Sequence, residues 1–370
     1  MNIGIVTFHR ANNYGAVLQA FALQTFLKNA GHSPYFVDHH YGSIARGIHR
    51  YLNRSPQATI ALWKDIRRGN CFAKFRRRHL VLSEEAYVCE QDLVEHPPVA
   101  DAYICGSDQI WNPNFLSQRK DEVAHFLDFG GHDVRRIAYA ASLGVTSLSP
   151  DWSLRMAQHL KRFDSISVRE KNAVPMIAAL GRPDVVCAPD PTLLLSAGVY
   201  EKSLCLVECE PNVVFSYLLT REDPECDIKL RECVCKYLGL PFIETYEQNP
   251  YRLLVSGMTD PCRWLCVLKS SRFVVTNSYH ATVFSLIFKQ PFIVVQTKGQ
   301  HSGINSRLES LLKQVGLHDR FVSQANEKQI IELCNNPINW KLVEARVQEF
   351  SEIGGAFLAK ALFTIEKTDH

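Results

Sequence analysis

Short apolar runs punctuate this chain at residues 2–8, 34–38, 102–105, 136–141, 164–168 and 184–187, with polar or helical-period stretches between them. Runs of that length, bounded by turn residues, read as buried strands. Between the first two, Ala16–Leu27 carries apolar residues at helical spacing, and Gly31 lies beyond as its stop. A second series follows at Val213–Leu219, Phe242–Thr245, Phe273–Thr276 and Phe292–Gln296, again interleaved with helical stretches. Strands alternating with helices predict parallel sheets and right-handed crossovers. The pattern therefore predicts an α/β chain with two Rossmann-like domains facing a cleft. The first spans residues 1–195 and the second 196–370, ending in a helix, with the boundary inside Leu193–Pro211.

Residues 43–98 do not alternate and read as mostly helical. They hold Arg67, Arg68, Lys74, Arg76, Arg77 and Arg78, interleaved with Trp63, Phe72 and Phe75. This is either a solvated face over core aromatics or a patch that meets anionic headgroups or a polyanionic acceptor.

Composition adds bounds. At 370 residues the chain exceeds one ordinary core, and 46% apolar with 21% charged residues is the mixture of a folded protein. A net charge of +3 gives no electrostatic case for nucleic acid. No apolar run approaches the ~20 residues that span a bilayer. The first residues read directly as a strand, without a basic n-region or cleavage site. A cytoplasmic location is expected, with the basic 67–78 segment offering peripheral contact to the inner face of the membrane. Twelve cysteines are scattered without a CxxC pair, so they read as reduced core thiols, and no metal site is expected.

Candidate chemistry sits where strands end. Ligands of open α/β sheets bind at the carboxyl ends of strands, beside helix N-termini that attract anions. After the first strand, Asn13 and Gly15 precede a helix: Asn13 can cap it or contact a ligand, and Gly15 lets backbone approach closely. The segment lacks dinucleotide-binding glycine spacing. Next, Gly106-Ser107-Asp108-Gln109-Ile-Trp111-Asn combines hydrogen-bonding side chains with an indole, a mixture suited to a sugar's hydroxyls and apolar face. Ser142 and Arg169 end two further strands, and Arg169 is placed to hold a carboxylate or phosphate. In the second half Asn277, Ser278 and His280 occupy the turn between a strand and a helix, where a histidine can donate a proton to a bound anion. Downstream, Lys298 and Arg307 offer cations, and Gly299 and Gly303 suggest a lid.

Five segments, in this order, resemble the polysaccharide pyruvyl transferase family: Asn13-Tyr-Gly-Ala-Val-Leu-Gln, Gly106-Ser-Asp-Gln-Ile-Trp-Asn-Pro, Ser167-Val-Arg-Glu, Asp190-Pro-Thr-Leu-Leu and Asn277-Ser-Tyr-His-Ala-Thr-Val-Phe. The resemblance covers about residues 1 to 320. It implies a GT-B-like fold and transfer of pyruvate from phosphoenolpyruvate onto two hydroxyls of one sugar, giving a cyclic ketal and phosphate. The acceptor would belong to a bacterial surface polysaccharide or its lipid-linked precursor, and no cofactor would be needed. By the same resemblance His280 is the acid that protonates the donor's methylene carbon, Arg169 holds the donor, and Lys298 or Arg307 supplies the following cation. Asp108 is the candidate base. The chain departs from many members at Ser278, where they carry arginine. Two rivals remain: a GT-B glycosyltransferase using a nucleotide sugar, and an inactive glycan-binding homologue.

Overall fold

Among the described residues, both halves are built on parallel strand pairing alone. The computed structural model describes residues 1–40, 56–119, 121–209, 212–219, 224–244, 260–297, 303–323 and 326–363. The first sheet contains β1 (Asn2–Val6), β2 (Ser33–His39), β3 (Leu82–Tyr87), β4 (Ala102–Cys105), β5 (Arg135–Ala141), β6 (Ser165–Val168) and β7 (Val186–Cys187). Their spatial order is β3-β2-β1-β4-β5-β6-β7. Its helices are α1 (Tyr14–Asn29), α2 (Pro56–His79), α3 (Glu90–Glu95), α4 (Pro113–Arg119), α5 (Glu122–His125), α6 (Pro150–Leu160) and α7 (Ala173–Ala179). A 3-10 turn at Pro191–Leu194 and α8 (Ala197–Ser203) lead to the second sheet.

That sheet contains β8 (Val214–Tyr217), β9 (Phe242–Glu244), β10 (Phe273–Thr276), β11 (Phe292–Val295) and β12 (Phe321–Val322), in the order β12-β11-β10-β8-β9. Its helices are α9 (Pro224–Leu238), α10 (Pro261–Ser270), α11 (Tyr279–Ile287), α12 (Gly303–Val315), α13 (Glu327–Asn335) and α14 (Trp340–Leu362).

The central strands are apolar because both faces are covered. Every residue of β4, β8, β10 and β11 is buried. Helix α1 lies between the sheets and is buried almost all round, from Tyr14 through Gln24 and again at Leu27. One continuous apolar core joins α1, α10, α11 and α14, with Tyr14 stacked on Trp264 at 5.1 Å. The last helix packs back on the first sheet. A Cβ at Gly354 would lie 2.5 Å from the Tyr139 hydroxyl, and Arg135 Nη1 donates to the Ala361 and Phe363 carbonyls.

The helical reading of 43–98 is corrected in part. Residues 82–87 form β3, an edge strand whose middle three residues are exposed, so no apolar run marks it. Within the same stretch, residues 41–55 lie outside the described residues.

Each sheet reverses its strand order once: between β1 and β4, and between β8 and β10. The crevice outside such a reversal is where open sheets bind ligands. Loops from both reversals meet in this molecule. Among the described residues, no helix is long and apolar enough to cross a membrane.

Candidate active site

His280 is the meeting point. Ser278 caps α11 by accepting from Ala281 N–H, and its own N–H is taken by Thr276 Oγ1 at 3.0 Å. Asn277 spans the reversal in the second sheet, accepting from Leu219 N–H at 2.6 Å. These two side chains fix the turn, and the turn aims His280 at α1 beside the first sheet. There its ring fits against α1 because residue 15 is glycine: a Cβ at Gly15 would lie 2.0 Å from His280 Nδ1. Asn13, in turn, caps α1 by accepting from Ala16 N–H.

The other imidazole nitrogen, Nε2, lies 3.4 Å from Asp190 Oδ2. Asp190 is fully buried at the end of β7. Its Oδ1 accepts from Thr192 N–H and Oγ1–H at 3.0 and 2.7 Å. Its Oδ2 accepts from Ser107 Oγ–H at 2.8 Å and from Arg169 Nη1–H at 2.9 Å. Burial pushes this carboxyl up, but His280, Arg169 and Thr192 outweigh it and hold the group well below the ordinary carboxylate range.

Arg169 lies with its guanidinium carbon 4.5 Å from the Tyr279 ring centre and its Nη2 3.9 Å from Asp108 Oδ1. Burial lowers its proton affinity, and Asp190 more than reverses that. Among the described residues its Nε and Nη2 have no hydrogen-bond acceptor, and neither does Nε of the buried Arg307 on α12. Burial and the neighbouring Arg169 bring Arg307 down to about 10, so it remains a cation at neutral pH.

Three carboxylates adjoin these two cations, but their oxygens are largely committed to protein donors. Asp190 is occupied as described. Glu170 Oε1 accepts from Ser142 Oγ–H, Leu143 N–H and Gly144 N–H. Asp108 Oδ1 accepts from Gln109 N–H at 2.8 Å. Among the described residues two donors of Arg169 and one of Arg307 are left wanting a partner, as is the buried Glu170 Oε2, and buried donors of that kind suit an anion. The backbone around them is contorted. Asp108 has φ 77° and Ala140 φ 48°, and β5 carries a register shift between Ala138 and Ala141.

Most sequence-derived site residues converge here, but with divided roles. Ser107, Ser142, Asn277 and Ser278 are buried and hold other groups in place. Gln109 is partly exposed and accepts from Asn112 Nδ2–H, packed against Gly144 where a Cβ would collide with it. Trp111 is a correction. It has no exposure, donates through Nε1 to the His125 carbonyl, and stacks on Phe126. The indole faces the core behind the loop and offers no surface to a sugar. Lys298 lies outside the described residues.

Asp190, Tyr279 and Glu170 lie within the family-like segments but carry no site role from sequence alone. Asp190-Pro191 carries a helix-cap signature, which masks any other use of the carboxylate. A cavity of about 840 Å³ lies elsewhere, at the amino ends of β1 and β2, lined by Gln24, Lys28, Tyr35, Glu84, His96 and Val99 among others.

A family model described as polysaccharide pyruvyl transferase matches residues 13–299. Among solved structures, a Listeria monocytogenes protein described as a UDP-N-acetylglucosamine 2-epimerase aligns with a TM-score of 0.51 at 11% identity, covering 100% of this chain and 97% of its own. The UDP-GlcNAc 2-epimerase from Neisseria meningitidis bound to UDP-GlcNAc gives 0.51 at 10% identity, with 97% and 100% covered. These likenesses are of fold, a GT-B-like pair of parallel sheets. No curated protein gives a significant match.

Proposed function

The chain belongs to the polysaccharide pyruvyl transferase family, and from that premise we propose that it moves pyruvate from phosphoenolpyruvate onto two hydroxyls of one sugar. The observation that carries the choice of donor is the set of unpartnered guanidinium donors on Arg169 and Arg307, beside a histidine at a helix N-terminus. A small anion with carboxylate and phosphate groups matches them.

In the proposed reaction His280 gives its proton to the methylene carbon, leaving an oxocarbenium-like centre at the adjacent carbon. One sugar hydroxyl attacks there and loses its proton to Asp108. The carbon–oxygen bond to phosphate breaks with its electron pair leaving on phosphate, the second hydroxyl attacks the same carbon and closes the ketal, and that hydroxyl's proton departs on the phosphate. The sequence is redox-neutral, and exchange with solvent resets both groups: Asp108 gives up the proton it took and His280 regains one. His280 and Arg307 of the second domain hold the donor together with Arg169 of the first, and the 106–109 loop of the first domain holds the acceptor.

The acceptor we propose is a sugar of a surface polysaccharide, carried on a lipid precursor. Arg67, Lys74, Arg77 and Arg78 are exposed on α2, and positions 67, 74 and 78 share one helical stripe. That stripe supplies contact with anionic headgroups, while Arg68 and Arg76 turn inward to the Asn12 carbonyl and the Asn12 side chain.

Supplying the purified protein with phosphoenolpyruvate and candidate acceptor glycans tests this reading. Phosphate release matched by a pyruvylated product supports it. Turnover of a nucleotide sugar with phosphoenolpyruvate untouched overturns it.

A further inference from the structure

Asp190 does more than cap a turn. Capping the Pro191–Leu194 turn requires only Oδ1, through Thr192. Oδ2 is turned across the domain interface, 3.4 Å from His280 Nε2. That nitrogen is sealed from solvent and, among the described residues, makes no hydrogen bond of good geometry, so the Asp190 carboxylate reaches it as a charge across a long contact. If Nε2 lacked its proton, a lone pair would face a buried carboxylate with nothing between them, an arrangement that a desolvated site penalises heavily. The opposite nitrogen, Nδ1, faces the bare Cα of Gly15.

We propose that Asp190 is the positioning residue for His280, holding a permanent proton on Nε2 so that Nδ1 is the atom that loads and delivers the transferred proton. The inference rests on the reading of His280 as the proton donor. In the charged ring both nitrogens carry hydrogen. Delivery breaks the Nδ1–H bond, the electron pair stays on Nδ1, and the neutral ring remains as its Nε2–H tautomer against Asp190. Asp190 itself stays ionised throughout, as the orienting carboxylate of a triad does. The same Oδ2 also accepts from Arg169 Nη1–H. One carboxylate thus orients the acid and leaves Arg169 Nε and Nη2 unpartnered, available to the donor's anionic groups.

The test is the ring-nitrogen spectrum of His280 in ligand-free, ¹⁵N-labelled protein, assigned by comparison with H280N. The expected result is that the ring, in its neutral form, carries its proton on Nε2, with loss of that preference in D190N and a kcat in D190N lower by roughly a hundredfold. A wild-type ring protonated on Nδ1 overturns the proposal without recourse to any variant, and so does D190N at the wild-type rate. Because the spectrum needs no substrate, the two readings separate. An Nε2–H ring in a protein that ignores phosphoenolpyruvate upholds the orientation and removes the reaction. Turnover by a protein with the Nδ1–H ring removes this inference alone.

Discussion

Replacing His280 by asparagine leaves a polar side chain of similar reach but no transferable proton. If the ring supplies the proton to carbon, H280N lowers kcat by about 10²- to 10⁴-fold, with the donor KM little changed, in steady-state phosphate release. Arg307 makes a pH prediction of opposite character. Its affinity for the proton is lowered to about 10, so its charge is present below that pH and lost as pH rises through it. The KM for phosphoenolpyruvate should rise above about pH 10 in the wild type, and R307Q should start high and show no such step. A flat wild-type profile contradicts a donor contact at Arg307. At this scale the sequence marked His280 and Arg169 as strand-end residues with little structural use there, and the structure brings both to Asp190. The sequence was unreadable where one side chain has two uses: the cap signature of Asp190-Pro191 hides its second oxygen. Gly15 was legible as a point of close approach, but what approaches it is His280.

Among the elements, the loop after β4 shows how composition can mislead. Gly106–Asn112 mixes polar residues with Trp111, yet the chain turns the polar side chains and the indole in different directions, and Trp111 joins the core with Phe126 and Phe163. W111A should therefore cost about 3–5 kcal/mol of stability in urea unfolding, and leave the acceptor KM unchanged in the folded fraction. A sugar platform would give the reverse. Helix α2 is the second case. Arg68 and Arg76 serve the loop before α1, so only part of the basic cluster is outward. Replacing Arg67, Lys74 and Arg78 together by glutamine should weaken co-sedimentation with anionic lipid vesicles by about 1 kcal/mol per residue at low salt. Equal binding by the variant removes the membrane role of this helix. Strand β3 escaped the sequence pattern because an exposed edge strand has no apolar run, whereas β4 and β10, buried on both faces, were plain.

For the whole molecule, alternation of strands and helices was enough to show two parallel sheets, because that rhythm follows from covering both faces of each sheet. What alternation cannot show is strand order, and strand order locates the site. Both reversals, β1 to β4 and β8 to β10, open toward one another, and the apolar core shared by α1, α10 and α11 holds them there. His280 from one sheet thereby reaches Gly15 and Asp190 from the other. The central claim is that this junction protonates the carbon of phosphoenolpyruvate and passes its pyruvyl group to a sugar. Running the reaction in deuterium oxide with an acceptor glycan tests it most directly, by following phosphate and the product methyl group together in NMR spectra. The account predicts phosphate release matched one for one by a ketal whose methyl carries a single deuterium, both slowed at least a hundredfold in H280N. Phosphate release without a ketal, or a ketal methyl free of deuterium, would contradict it.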